Sequence, residues 1–293
     1  QLYVKINGAK IRYGGAAADL TIAAWMPWTI DLASVGVNLK KVTTLAIGVD
    51  GSGSSGSLFI DEVRLYPGVG ATVAPVDPGT TGLVAWYQFD GDVQDSAGGH
   101  HGTPVGSPGY ATGKIGQALN MTSDQQYVTV AYADDLAMTS FTVAAWVNVA
   151  DTTASRGILG TRFNSQYTFD LKVEATRVHG DIGDGAAWLN TELNIVAAQG
   201  GAIGSGVWRH IAFVVDGDTG GIRMYLDGAS ASTTTCAGTP LFMKPDQELR
   251  IGNSYGTEFL HGLIDDVRLY NRVLSDAEVA GLAGRTGPIY EGL

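Results

Sequence analysis

Cysteine is almost missing: Cys236 stands alone among 293 residues, which excludes an intramolecular disulfide and a cysteine-rich metal centre. Basic residues are scarce too, 18 Lys and Arg against 29 Asp and Glu, for a formal net charge of -11. Nucleic acids and other polyanions are therefore disfavoured partners, because phosphate recognition rests on clustered Lys and Arg. No apolar run approaches the roughly 18 residues that a membrane-spanning helix needs. The chain begins at Gln1 without a charged-then-apolar leader, and so reads as a mature or excised piece of something longer. Helix signals are nearly lacking as well. The exception is Ser275 as an N-cap with Glu278 three residues on, a capping box for a short helix ending near Gly284.

What is present is glycine, 41 residues without a fixed period, and 45% apolar residues, enough for a core. Period-2 alternation dominates. Leu2–Ile6 leads through Asn7-Gly8, a type I′ hairpin signal, into Lys10–Tyr13. Further strands are predicted at Leu83–Phe89, Tyr127–Val130, Phe141–Val147, Tyr167–Val173, Arg209–Val215, Ile222–Leu226, Leu249–Gly252 and Leu263–Tyr270. Trp86, Trp146 and Trp208 fall in these strand patterns and read as core, as does His210.

Prolines and glycines crowd residues 68–81, a linker composition that divides a short piece, 1–67, from a long module, 82–284, and a tail, 285–293. An internal repeat crosses that boundary. Leu45-Ala-Ile-Gly48 recurs as Leu249-Arg-Ile-Gly252, and Ile60-Asp61-Glu-Val-Arg-Leu-Tyr66 as Ile264-Asp265-Asp-Val-Arg-Leu-Tyr270, both at an offset of 204. The expectation is two β-sandwich modules that end in the same pair of antiparallel strands. The first is too short for a whole sandwich, which needs about 100 residues, and reads as partial.

The long module carries an ordered set of motifs: Gly82-Leu-Val-Ala-Trp86-Tyr-Gln-Phe89, Asp95-Ser-Ala-Gly98-Gly-His-His-Gly102, Gly113-Lys-Ile-Gly116-Gln-Ala-Leu119, Phe141-Thr-Val-Ala-Ala-Trp146, Trp208-Arg-His210, Tyr225-Leu-Asp227-Gly228 and Gly262-Leu-Ile-Asp265-Asp-Val-Arg-Leu-Tyr. It resembles the laminin-G-like, concanavalin A-like lectin and glucanase jelly rolls. The first piece resembles the distal half of a carbohydrate-binding-module jelly roll of the kind appended to secreted bacterial polysaccharide-degrading proteins. The resemblance implies an all-β fold, a concanavalin A-like β-sandwich (jelly roll) preceded by a smaller, partial sandwich module. It also implies a non-catalytic, lectin-like segment of a larger secreted or cell-surface protein that binds a polysaccharide or glycan. Other domains of the longer parent chain would accompany it, with no insertion into a membrane.

Two kinds of site follow. The resemblance implies a structural calcium, with Asp265 from the closing strand, Asp90 or Asp95 from the glycine-rich loop, and Asp61 in the equivalent place of the first module. Calcium takes six to eight oxygens. The alternative is that these are turn-forming, solvated acids. Adjacent strand residues face opposite ways, so Asp265 and Asp266 cannot both serve one ion without a bulge. For sugar, Trp188 sits in a polar, glycine-containing stretch without an obvious core partner, either as a stacking ring or as a cover for the sandwich edge. Arg162, Asp170, Arg177, His179, Asp181 and Asn190 share its predicted polar face, and Tyr255 is a second aromatic candidate.

The related glucanases place Glu-x-Asp-x-(x)-Glu on one strand. None of the seven glutamates here (Glu62, Glu174, Glu192, Glu248, Glu258, Glu278, Glu291) lies in that pattern, which argues against hydrolysis. The alternative enzyme reading, a glycoside hydrolase or polysaccharide lyase, would use Asp170 and Asp181 as a non-standard acid pair. A protein-interaction module is a third reading. Gly252-Asn-Ser254-Tyr-Gly256 has the nucleophile-elbow spacing but lies between predicted strands, without the helix that an elbow needs.

Overall fold

Alternation of small and branched apolar residues with polar ones produces strands nearly throughout. The computed structural model describes residues 2–14, 30, 43–51, 72–163, 167–175, 177–189, 193–195, 203–284 and 289–290. The strands are β1 (Leu2–Ile6), β2 (Ala9–Arg12), β3 (Leu45–Val49), β4 (Thr72–Val73), β5 (Leu83–Tyr87), β6 (Thr103–Val105), β7 (Gly109–Thr112), β8 (Gln117–Met121), β9 (Tyr127–Ala131) and β10 (Phe141–Val149). They continue with β11 (Arg156–Gly160), β12 (Phe169–Glu174), β13 (Arg177–Ile182), β14 (Leu193–Ile195), β15 (Trp208–Asp216), β16 (Gly221–Leu226), β17 (Ala229–Thr235), β18 (Glu248–Ile251), β19 (Gly262–Tyr270) and β20 (Ile289–Tyr290). Helix α1 spans Asp276–Leu282.

The chain divides into two units, one ending at Ala71 and one beginning at Thr72. In the first, β1 is central and pairs antiparallel with β2 and β3. Asn7 and Gly8 both adopt positive φ, 47° and 91°, as a type I′ turn requires. Asn7 Oδ1 then accepts the Thr43 N–H at 2.8 Å, which fixes the approach to β3. Asp61 and the Ile60–Tyr66 strand lie outside the described residues.

The second unit stacks two large antiparallel sheets. One runs β17-β16-β15-β10-β19-β8-β7, with β5 also on β19; the other runs β14-β13-β12-β11-β18-β9-β6. Their facing sides supply a single core that includes Tyr87, Met121, Val147, Phe213, Met224 and Leu269 from the first sheet and Val128, Leu171, Val178 and Ile251 from the second. Phe169 packs edge-on against both Phe141 and Phe213, at 5.8 and 5.4 Å between ring centres. In β13, Gly180 lies so near Phe213 that an added Cβ would come within 2.5 Å of the ring.

One expectation changes here. The repeated segments Leu249–Gly252 and Ile264–Tyr270 do not pair: β18 bonds to β11 and β9 in one sheet, β19 to β10, β8 and β5 in the other. Residues 72–81, the described part of the proline-rich stretch, bond to the far end of the chain. Val76 donates its N–H to Ala277 O at 2.9 Å, Arg272 donates to Thr81 O and Pro78 O, and β4 pairs with β20. Helix α1 forms with the predicted capping box and packs Val279 and Leu282 on the outer side of the β10–β15–β16 sheet.

Candidate functional site

On β12, Phe169, Leu171 and Val173 enter the core, so Asp170, Lys172 and Glu174 face outward; on β13, Val178 and Ile182 enter it and Arg177, His179 and Asp181 face outward. The antiparallel register then sets Asp170 opposite Asp181, Lys172 opposite His179 and Glu174 opposite Arg177. This outer face is covered: Asp170 is 1% exposed and Lys172 6%.

Burying these charges is tolerable only because they are paired. Asp170 Oδ2 lies 3.3 Å from both Arg162 Nε and Lys172 Nζ. The same two cations hold Glu258, at 3.2 Å from Arg162 and 2.9 Å from Lys172. Lys172 also reaches Glu174 at 3.1 Å, and Ser254 donates its hydroxyl to Glu258 Oε2 at 2.7 Å. Burial drives the Asp170 carboxyl above the usual carboxylate range against the pull of Arg162 and Lys172. Desolvation would lower the Lys172 ammonium, but Asp170 and Glu258 outweigh it and raise it. For Glu174, desolvation is overcome by hydrogen bonds from Arg177 and Lys172, which bring it down to about 2.

Aromatic rings crown this lattice. The Arg162 guanidinium carbon lies 4.3 Å from the Tyr255 ring centre and 5.6 Å from that of Trp188. Trp188 meets Tyr167 edge-on at 5.7 Å. Tyr255 is 44% and Tyr167 41% exposed, while Trp188 is half-buried. The Trp188 loop is shaped by Asp184 Oδ1, which accepts the N–H groups of Ala186 and Ala187, and by a bridge between Gly183 and Trp188. The Tyr255 loop lies directly on β11, where Gly160 leaves room for the Ser254 backbone; a Cβ there would sit 2.4 Å from Ser254 O. Ser254 is buried in a loop between β18 and β19, with no helix following, so the elbow spacing has no elbow.

Six predicted residues thus share one face: Arg162, Asp170, His179, Asp181, Trp188 and Tyr255. Arg177 stands at its exposed margin, and Asn190 lies outside the described residues. Lys172, Glu258, Ser254 and Tyr167 were not predicted. Lys172 was legible, two residues from Asp170 on the same strand face. Glu258 carried no periodic signal, because a loop brings it in. As a hydrolytic pair Asp170 and Asp181 are poorly placed: both are buried, and Asp170 is engaged by two cations.

The expected calcium ligands lie elsewhere, toward the loops around β5, β7 and β8. Asp95 Oδ1 accepts the N–H groups of Trp86 and Ala97, both at 2.8 Å, and Oδ2 accepts that of His100 at 3.1 Å. Asp90 Oδ1 accepts from Gln117 N at 2.6 Å. Asp265 Oδ2 accepts from Lys114 and Ile115 in the same turn, both at 2.8 Å. Among the described residues no three acidic, imidazole or thiol groups gather for a metal. Asp265 fits a cation best, because its buried Oδ1 accepts no hydrogen bond among the described residues; Asp95 fits poorly, with both oxygens already accepting. Desolvation, reinforced by Asp266, raises the Asp265 carboxyl to about 6.

The expectation that Asp265 and Asp266 face apart is overturned. Asp266 has φ 48°, and the β10–β19 register slips between Ala144 and Trp146, a bulge that turns both acids to the outer side of the sheet. Asp266 Oδ1 accepts from Trp86 Nε1 at 2.6 Å and Arg268 Nε at 3.0 Å. Trp86 and Trp208 are therefore half-buried, and Trp146, although buried, packs on this outer side against His210 at 5.3 Å rather than in the core.

The profile of the concanavalin A-like lectin/glucanases superfamily matches residues 122–280. No curated protein matches the chain. Domain 4 of AbnA, a GH43 extracellular arabinanase from Geobacillus stearothermophilus solved in complex with arabinotriose, superposes with a TM-score of 0.55 at 23% identity, over 69% of this chain and 98% of that one. The botulinum neurotoxin serotype D binding domain superposes at 0.55 with 12% identity, over 70% of this chain and 52% of that one. The binding domain of botulinum neurotoxin DC in complex with SialylT gives 0.54 at 12% identity, over 70% and 52%. At these identities the likeness is one of fold.

Proposed function

The chain belongs to the concanavalin A-like lectin/glucanases superfamily, and from that footing we propose that it is a non-catalytic glycan-binding segment whose recognition surface is the Arg162-centred face of the seven-stranded sheet. One observation carries the reading: Arg162 is fixed by Asp170 and Glu258 beneath two rings, Tyr255 and Trp188, that reach the surface. Rings held at a fixed angle offer C–H stacking to a sugar, and carboxylates beside them accept from its hydroxyls. Neighbours of the same fold solved with arabinotriose and with SialylT support it. So does the absence of a Glu-x-Asp-x-(x)-Glu strand in the sequence.

In this reading the protein works outside the cell, beside further domains of a longer chain. A structural calcium at Asp265 belongs to the proposal; its support is the orphaned Oδ1. Calorimetry and affinity gels with a polysaccharide panel test the function. Binding lost in Trp188→Ala and Tyr255→Ala supports it, and reducing-sugar release by the wild-type protein would replace it with a hydrolase.

A further inference from the structure

Among the described residues, Arg162, Lys172 and Arg177 are already committed to carboxylates. Arg162 pairs with Asp170 and Glu258, Lys172 with Asp170, Glu174 and Glu258, and Arg177 with Glu174 at 2.6 Å. Three carboxylates, Asp170, Glu174 and Glu258, thus hold all three cations. Two of the cations are deep, their side chains 17% exposed for Arg162 and 8% for Lys172. His179 Nδ1 faces Asn194 Oδ1 at 3.1 Å, and Lys244 donates to the Gly185 carbonyl at 2.8 Å, beside Asp184. The adjoining segments 164–166, 190–192 and 196–202 contain no Lys or Arg.

A sugar carboxylate or sulfate would therefore meet Glu258, and beside it cations that are already paired. Prising Arg162 or Lys172 away would leave Asp170 buried with one cation in place of two. A neutral sugar incurs neither penalty, since its hydroxyls donate to Glu258 while its C–H face lies on Tyr255 or Trp188. We infer that this face selects neutral oligosaccharides and rejects chains bearing uronate, sialate or sulfate groups, a deepening that rests on the glycan-binding reading above.

Calorimetry on the whole chain tests it, with neutral hexasaccharides of arabinose, xylose, glucose, galactose and mannose set against hexagalacturonate, sialyllactose and a sulfated heparin hexasaccharide. The expected result is at least one neutral ligand bound about tenfold or more tighter than any acidic one. Glu258→Gln, which releases part of the hold on Arg162 and Lys172, is expected to narrow that ratio at least threefold in favour of acidic chains. If Glu258→Gln does not fold, the wild-type comparison decides alone. An acidic chain bound more tightly than every neutral one overturns the inference and leaves the glycan-binding reading standing. Failure of all these probes, extended to an affinity-gel polysaccharide panel, overturns both.

Discussion

Arg162 lies with its guanidinium carbon 4.3 Å from the ring centre of Tyr255, and the two come from separate loops, one after β11 and one after β18. Their contact lets an ion-pair lattice at the sheet surface set the pose of an exposed ring. Rigid positioning of an aromatic lowers the entropy lost when a ligand settles on it. Trp188, on a third loop, is oriented by the same guanidinium.

Removing the rings tests that relationship most directly. Trp188→Ala and Tyr255→Ala are each expected to weaken glycan binding about tenfold or more by calorimetry. Tyr255→Phe keeps the stacking surface and is expected to stay within about threefold. Circular dichroism melts of the Tyr255 variants should remain near wild type, since this ring is substantially exposed.

Arg162→Lys is not expected to be conservative. An ammonium cannot reach Asp170 and Glu258 while also presenting a flat face to Tyr255. Arg162→Ala leaves Asp170 with one cation in a buried place, and a loss of about 3 kcal/mol in urea denaturation is expected. Arg162→Ala with Asp170→Asn removes both charges and should recover part of that loss without restoring binding.

Gly180→Ala places a methyl group against Phe213 on the inner side of β13, while His179 and Asp181 continue to face outward. Overpacking of this kind costs about 1–3 kcal/mol. Denaturant midpoints should fall accordingly, and a wild-type midpoint would mean that the Phe213 ring has room to yield.

For calcium, the wild-type melting temperature is expected to rise on adding millimolar Ca²⁺ and to fall with EDTA. Asp265→Asn should respond to neither. A wild-type melt indifferent to both removes the proposed cation from Asp265.

Much of this was legible because period-2 patterns fix which side chains share a face. Asp170 alternates with Phe169 and Leu171, so its outward direction followed from the sequence, as did the capping box at Ser275 and Glu278. What stayed hidden depends on pairing or on a local break in the period. The Leu249 and Ile264 segments look like a hairpin in sequence but belong to opposite sheets, since alternation names a face and not a partner. Asp266 turns with Asp265 because one residue takes a left-handed conformation, which no residue type at that position announces. Glu258 joins the site through a loop, where no period operates.

His210 gives a pH dependence of known sign. Its imidazole is buried, its Nδ1 has no hydrogen-bond partner among the described residues, and it lies edge-on to Trp146. Burial, with Arg268 nearby, lowers it from the ordinary 6.5 to about 3. Below pH 6.5 the unfolded chain therefore takes up a proton that the folded chain refuses. Stability from this residue is intact above pH 6.5 and declines as pH falls toward 3, at about 1.4 kcal/mol per unit. His210→Phe keeps a ring beside Trp146 and removes the titration. The difference in unfolding free energy between wild type and variant isolates this group, because the paired carboxylates titrate alike in both. Relative to its value at pH 7.5, that difference should move by about 2 kcal/mol in favour of His210→Phe at pH 5. A difference that stays flat from pH 7.5 to 4 would mean that the folded imidazole takes its proton as readily as the unfolded one, through a partner or water at Nδ1.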